Sequence, residues 1–329
     1  MTFQAAGITL DSLQAGMRPR LDAVRRELAR IIASDFAFIA EVNGHLQQMR
    51  GKMFRPTLLL LSEEASGAPD PRAETLAAVI ELIHLATLVH DDSVDHSVLR
   101  RGMPTINALF SHQVSVIMGD YLYSRAVVEL TELGDIAPLR VLARVTNEMT
   151  VGEMRQLMAH DPLSFSEAEY DLLIRSKTAS LLSGACETGS LRAGAREQGA
   201  LREYGEKLGM VFQIVDDLLD YTGFEAVTGK PSGQDLREHK VTLPLIHVLP
   251  RLTVVARREV AALMATPEPT DRQVAGVIAM VAEHGGLEYA RRRAESLAEQ
   301  ADSALDALHP TPARDRLRES ILYVLERRS

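Results

Sequence analysis

Apolar residues recur every three to four positions through most of this 329-residue chain. Over 73–89, Leu76, Val79, Ile80, Ile83, Ala86 and Leu88 form a broad stripe with Glu81, His84 and Thr87 between them. That spacing is the helical period, so it predicts a helix with one wide buried face. Similar stripes run over 114–133, 139–158, 168–190, 201–221, 272–282 and 287–308. Glycine and proline punctuate them at 67–71, 102–104, 134–138, 161–162, 223–233, 250, 267–269 and 310–312. No run alternates as a half-buried strand would, and no internal repeat stands out. The pattern predicts an all-α fold, a large helical bundle of about ten to thirteen helices. Length alone suggests about two domains. No long polar linker divides the chain, however, so a single domain over 1–329 is expected.

Composition narrows the classes. Trp is absent and aromatics are 5%, which favours helix over strand. Lys and Arg number 36 against 45 Asp and Glu, a formal charge of −9. That balance argues against nucleic acid as a partner, because a phosphate backbone wants a basic face. Cys186 is the sole cysteine, so no intrachain disulfide can form, and a small packed residue is expected there. A reducing, cytoplasmic setting fits. Residues 1–20 carry Asp11, Arg18 and Arg20 and lack the apolar core of a secretory signal. The longest apolar candidate, 76–89, is interrupted by Glu81 and His84 and falls short of the ~18–20 residues of a membrane span. Peripheral membrane contact remains open to an enzyme with a greasy substrate.

Two apolar runs close on one acidic pattern, D-D-x-x-D: Asp91, Asp92 and Asp95, then Asp216, Asp217 and Asp220. Three carboxylates within five residues repel one another at every pair, so something positive belongs among them. Mg²⁺ prefers oxygen ligands, usually one or two carboxylates plus substrate phosphates. On a helix, Asp91 and Asp95 project together, as do Asp216 and Asp220, while Asp92 and Asp217 sit about 100° away. One such pattern alone reads as a solvated helix end. Two, each behind a deeply apolar run, point to a metal-dependent enzyme acting on a phosphorylated substrate.

Basic residues gather at matching points. Lys52 and Arg55 lie three apart and share a face if helical. Arg100 and Arg101 follow the first acidic motif; Lys177 and Thr178 interrupt an apolar helix; Lys230 and Lys240 follow the second motif. Arginine forks suit phosphate oxygens, and lysine supplies a point charge. Singly, each would be an ordinary surface charge. Glu81 and His84 form an E-x-x-H element of the kind found in di-iron bundles, but no second copy occurs. There is no H-E-x-x-H, C-x-x-C or G-x-S-x-G. The glycines from 223 to 229 before Lys230 miss the P-loop spacing by one residue.

In order along the chain, these residues resemble the trans-type isoprenyl diphosphate synthases, or polyprenyl synthetases. The match runs through Gly51-Lys52-x-x-Arg55-Pro56, His84 to His90-Asp91-Asp92-x-x-Asp95, and Arg100-Arg101-Gly102-x-Pro104-Thr105. It continues through Gly119-Asp120-Tyr121-Leu122, Gly152-Glu153-x-x-Gln156 and Lys177-Thr178-Ala179. It ends with Gly209-x-x-Phe212-Gln213-Ile214-x-Asp216-Asp217-x-x-Asp220 and Gly229-Lys230-Pro231-x-Gly233-x-Asp235-Leu236. Any one piece is weak, but the ordered set is specific.

The resemblance implies an all-helical homodimer with both acidic motifs at the mouth of a central cavity. It implies Mg²⁺ held by Asp91 and Asp95, with Asp216 and Asp220 taking a further ion, and Asp92 and Asp217 completing the motifs. Arg100, Lys177, Lys230 and Lys240 would grip an allylic prenyl diphosphate. Lys52, Arg55, His84 and Arg101 would hold isopentenyl diphosphate, and Thr178 and Gln213 would line the reacting region. The family often has Gly or Asn before the lysine matching Lys240; here it is His239.

Ala86 and Thr87 lie roughly 6–7.5 Å below Asp91 along a helix. Short-chain members carry a bulky aromatic near this place, so small residues there imply a long-chain product of about C30–C50. A side chain further on, such as Tyr123, Val127 or Leu130, is an alternative stop that would give a farnesyl or geranylgeranyl product. A terpene cyclase and a non-catalytic partner subunit are further readings. The second motif argues against the former, and the complete set of acidic and basic residues argues against the latter.

Overall fold

The computed structural model describes residues 7–49, 51–158, 162–223 and 232–327. Lys230, placed by resemblance in the allylic site, lies outside them. The fold is all-α. Its helices are α1 Arg18–Ile31, α2 Ala37–Gln48, α3 Phe54–Ser66, α4 Ala73–Val94, α5 His112–Glu132, α6 Ile136–Leu157 and α7 Glu167–Ile174. They continue as α8 Ser180–Gly189, α9 Ala195–Thr222, α10 Leu243–Val248, α11 Val254–Ala265, α12 Asp271–Glu283, α13 Gly286–Ala304 and α14 Pro312–Glu326. One hydrophobic core extends through them from Leu13 to Val324.

The stripes over 73–89 and 201–221 become α4 and α9, the two long helices that end in the acidic motifs. In α4 the residues from Leu76 to Ile80, and Leu82 and Ile83, are nearly inaccessible to solvent. The helix is therefore buried on almost every side, which is why its stripe is so wide. It packs against α5, α1 and α3, while α9 packs against α13 and α8. The break at 134–138 falls between α5 and α6, and Pro138 and Pro56 lie just inside helices. Each sits in the first turn of its helix, where the missing N–H has no intrahelical partner to lose.

Three local features depart from the sequence pattern. The stripe over 168–190 is not one helix: a π-helical turn, Arg175–Ala179, separates α7 from α8. Strands are present after all, as a two-stranded hairpin of β1 Leu99–Arg100 and β2 Met103–Pro104. Its connecting residues, Arg101 and Gly102, both have positive φ, the geometry of a type I′ turn. Thirdly, Lys52 and Arg55 do not share a helical face. Met53 adopts a left-handed conformation (φ 55°) at the N-cap of α3, so Arg55 is in the first turn and Lys52 outside it.

Candidate active site

α4 remains helical through the first motif. The Asp95 N–H donates to the Asp91 carbonyl at 2.8 Å, so the two residues stand one turn apart on one face. Burial pushes the Asp91 carboxyl up to about 6; Lys177 opposes the shift, and Glu153 and Asp95 add to it. A carboxylate held up in this way is short of positive charge. Asp92 turns the other way and is buried. The Arg100 Nε lies 2.7 and 2.8 Å from its two oxygens, and a terminal guanidinium nitrogen lies 2.7 Å from Oδ1. The hairpin therefore feeds Arg100 back onto the motif, locking the end of α4.

The second motif divides its labour differently. Asp216 is half-exposed and accepts from the Arg327 guanidinium at 2.7 Å. That guanidinium lies over the Phe212 ring, 4.2 Å from its centroid. Asp217 is buried and accepts from the Tyr170 hydroxyl at 2.6 Å and from Gln213 Nε2 at 2.8 Å. Burial drives its pKa well above the usual range, with Asp235 adding to the shift. Asp220 spends both oxygens on backbone amides: Gln234 N–H at 2.9 Å and Asp235 N–H at 3.1 Å. It thus caps and docks the short helix Gln234–Arg237.

The π-helical turn carries Lys177 and Thr178. Such turns widen a helix by one residue and redirect its side chains. Two glycines let neighbours close on it. A Cβ on Gly152 would lie 2.8 Å from the Ser176 Cβ, and one on Gly209 would lie 2.5 Å from the Ala179 Cα. Lys177 Nζ lies 2.5 Å from Glu153 and donates to Gln156 Oε1 at 3.1 Å, while its charge also acts on Asp91. Thr178 donates to Gln213 Oε1 at 2.8 Å, extending a hydrogen-bonded line through Gln213 to Asp217 and Tyr170. Lys240 Nζ lies 2.6 Å from Glu238 and 4.0 Å from Asp95, reaching from the second half of the chain to the first motif.

A second group of cations sits beside these. Arg55 is buried, and burial, with Arg101 adding, lowers its pKa to about 10 against the pull of Glu81. Burial holds His84 well below the imidazole range, with Arg55, Arg101 and Arg100 adding. Burial also lowers Lys52, helped by Arg327 and Arg101 and opposed by Asp216. Arg101 therefore repels Lys52, Arg55 and His84 alike, and the buried carboxylate of Glu81 lies near Arg55 and Arg101. Such a group is built to receive an anion.

Among the described residues, no three carboxylate, imidazole or thiolate side chains converge to hold an ion unaided. The donor set nevertheless fits a hard divalent cation. Asp91, Asp95 and Asp216 offer oxygens from two walls, and the usual Mg²⁺ site takes few carboxylates and completes itself with phosphate. Lys240 links the two motifs, since it reaches Asp95 from the segment that Asp220 caps.

The chain belongs to the polyprenyl synthetase family. The family model matches residues 37–281. The chain is 36% identical over 322 residues to a heptaprenyl diphosphate synthase component 2 from Geobacillus stearothermophilus, covering 97% of this chain and 99% of that one. It is 38% identical over 287 residues to an octaprenyl diphosphate synthase from Escherichia coli, covering 86% and 88%. A polyprenyl synthase from Caulobacter crescentus, solved with calcium and isoprenyl diphosphate, superposes with a TM-score of 0.92 at 33% identity, covering 99% and 100%. The enzyme class is accordingly a prenyltransferase.

Several contributors escaped the sequence reading. Glu153 and Gln156 were legible as a motif but not as the partners of Lys177. Asp235 was legible as part of a motif but not as a neighbour of Asp220, while Tyr170 and Arg327 carried no signal, since their partners lie far away in the chain. Of the tail-path residues, Ala86 is buried on α4 and Thr87 binds back to the His84 carbonyl at 2.7 Å. Tyr123 is directed at α6, where its hydroxyl lies 3.3 Å from Thr146 Oγ1.

Proposed function

We propose that this chain is a long-chain trans-polyprenyl diphosphate synthase, a single-domain cytoplasmic enzyme that acts as a homodimer and adds isopentenyl diphosphate to an allylic prenyl diphosphate. The observation that carries this reading is the separation of two cationic sets beside one pair of acidic helix ends. Lys177, Lys240 and the free donors of Arg100 surround Asp91 and Asp95 and suit the allylic diphosphate. Lys52, Arg55, His84 and Arg101 suit the diphosphate of isopentenyl diphosphate.

Asp91, Asp95 and Asp216 would hold Mg²⁺, while Asp220 positions the Lys240 segment. Bound there, Mg²⁺ supplies Lewis-acid stabilisation of the charge growing on the leaving diphosphate. Lys177 and Lys240 share that charge as the allylic C1–O bond breaks. The basic set fixes isopentenyl diphosphate so that its terminal double-bond carbon faces the resulting cation. The new carbon–carbon bond forms, and a proton leaves the adjacent methylene for the departing diphosphate. The apolar walls of α4, lined by Ala86 and Thr87, exclude water and receive the tail. The net negative charge speaks against nucleic-acid binding, and release of a C30–C50 product fits peripheral membrane contact.

Product sizing with farnesyl and isopentenyl diphosphates tests the reading. Products of six or more isoprene units are expected. Products ending at four units would replace it with a geranylgeranyl synthase, and no elongation by the isolated chain would indicate a dependent subunit.

A further inference from the structure

His239 occupies a position that glycine normally takes. The short helix Gln234–Arg237 ends in a Schellman closure: the His239 N–H donates to the Leu236 carbonyl at 3.2 Å, and the Lys240 N–H donates to the Asp235 carbonyl at 2.8 Å. The residue between the two bonds must be left-handed, and His239 has φ 58°. A Cβ is disfavoured there. The histidine ring compensates by reaching out of the turn, where Nε2 donates to the Thr266 carbonyl at 2.8 Å. Thr266 directly follows α11.

Other contacts meet the same helical pair. The two terminal nitrogens of Arg237 donate to the Pro269 carbonyl at 3.3 Å and to Asp271 at 2.8 Å. A Cβ on Gly233 would lie 2.3 Å from the Val274 Cγ1 of α12, so that helix is seated directly on the start of the segment. On its other side the segment hangs from Asp220. Its last residue, Lys240, reaches to within 4.0 Å of Asp95.

We infer that the α11–α12 pair buttresses Lys240, and that His239 is the positioning residue that ties the lysine to it. The tie exchanges the conformational freedom of a glycine for a fixed bearing on a remote helix end. Ties at Arg237 and His239 flank the helix end from which Lys240 departs, so loosening them lets the ammonium drift from the space beside Asp95. This rests on the proposed role of Lys240 at the allylic diphosphate.

The test uses the full-length Mg²⁺-loaded enzyme and a thiolo analogue of farnesyl diphosphate that does not ionise. Its affinity is measured by calorimetry, alongside the melting temperature and the KM for isopentenyl diphosphate. His239→Gly relieves the backbone while removing the tie, so the analogue should bind roughly fivefold more weakly without a fall in melting temperature. The KM for isopentenyl diphosphate should stay within about twofold. His239→Ala should show the same affinity loss with a lower melting temperature, and adding Arg237→Gln should deepen the affinity loss. Unchanged analogue affinity in His239→Gly, while Lys240→Ala weakens it, overturns the tie. Equal weakening of both substrates with a lower melting temperature overturns it as well. Unchanged affinity in Lys240→Ala would withdraw the role of Lys240 itself, and the tie with it.

Discussion

The ends of α4 and α9 carry the same five-residue pattern and anchor it by opposite means. In both, the first aspartate is accessible to solvent and the second is buried. Asp92 is neutralised by a charged partner, Arg100, delivered by a hairpin eight residues further on. Asp217 meets neutral partners, Tyr170 and Gln213, and burial, with Asp235 adding, raises its pKa against the pull of those two hydrogen bonds. The third aspartates differ as well. Asp95 is the C-cap of α4 with its carboxylate partly exposed, whereas Asp220 is consumed in capping another helix. A repeated motif thus fixes where carboxylates point but not what holds them. The first wall is ion-paired and presents two acids. In the second the buried acid is hydrogen-bonded, and the one acid presented, Asp216, is paired with Arg327.

The largest expected effect treats the walls alike. Asp91→Ala and Asp216→Ala should each lower turnover by roughly a thousandfold, because each removes a carboxylate proposed to hold the cation. Steady-state assays of isopentenyl incorporation check this, and a variant retaining a tenth of the activity would remove its aspartate from the site. The buried pair should then separate the walls. Asp92→Asn leaves Arg100 under-compensated and should cost about 3 kcal/mol in denaturant unfolding. Asp217→Asn keeps an acceptor for Gln213 and a donor for Tyr170, and should cost less than about 1 kcal/mol. Equal losses would erase the distinction between the two anchors.

Titration offers an intermediate effect. The Asp91 carboxyl is raised from 3.8 to about 6 in the folded protein. Its contribution to stability is therefore complete below the unfolded value and is lost as pH rises through about 6. With chelator present, wild type should lose about 2 kcal/mol relative to Asp91→Asn between pH 4 and 7, after allowance for the carboxyl's partial exposure. Parallel pH–stability curves for the two proteins would contradict this. A smaller change is expected at Asp220→Ala, which removes the cap of Gln234–Arg237. Stability should fall by about 1 kcal/mol, with a higher KM for the allylic substrate than for isopentenyl diphosphate.

Periodicity placed α4 and α9 well, because each is long, apolar and regular. The family resemblance, not spacing, grouped Lys52, Arg55, His84 and Arg101, and the charge of Arg101 reaches the other three. What escaped depends on backbone choices that periodicity does not encode. Met53 turns left-handed and takes Lys52 off the helix of Arg55. The π-helical turn has no signature in the periodicity, and Gly152 and Gly209 let α6 and α9 close on it. Arg327 meets Asp216 across 111 positions, a pairing only the folded chain reveals. His239 is the reverse case. Its oddity was visible in the sequence, and its reason, a left-handed helix end with a side-chain anchor, was not.

Among the described residues, α4 is the one helix long and apolar enough to cross a bilayer, yet here it is the inner wall of a bundle. During synthesis it is complete 95 residues before the last residue of α8, its one late neighbour among the numbered helices, is added (189 − 94). At about 5–20 residues per second, that interval lasts roughly 5–19 s. For that time the nascent chain carries a membrane-length greasy segment with one wall of its packing unmade. Its survival on the ribosome then rests on the early partners, α1, α3 and α5, until α8 arrives.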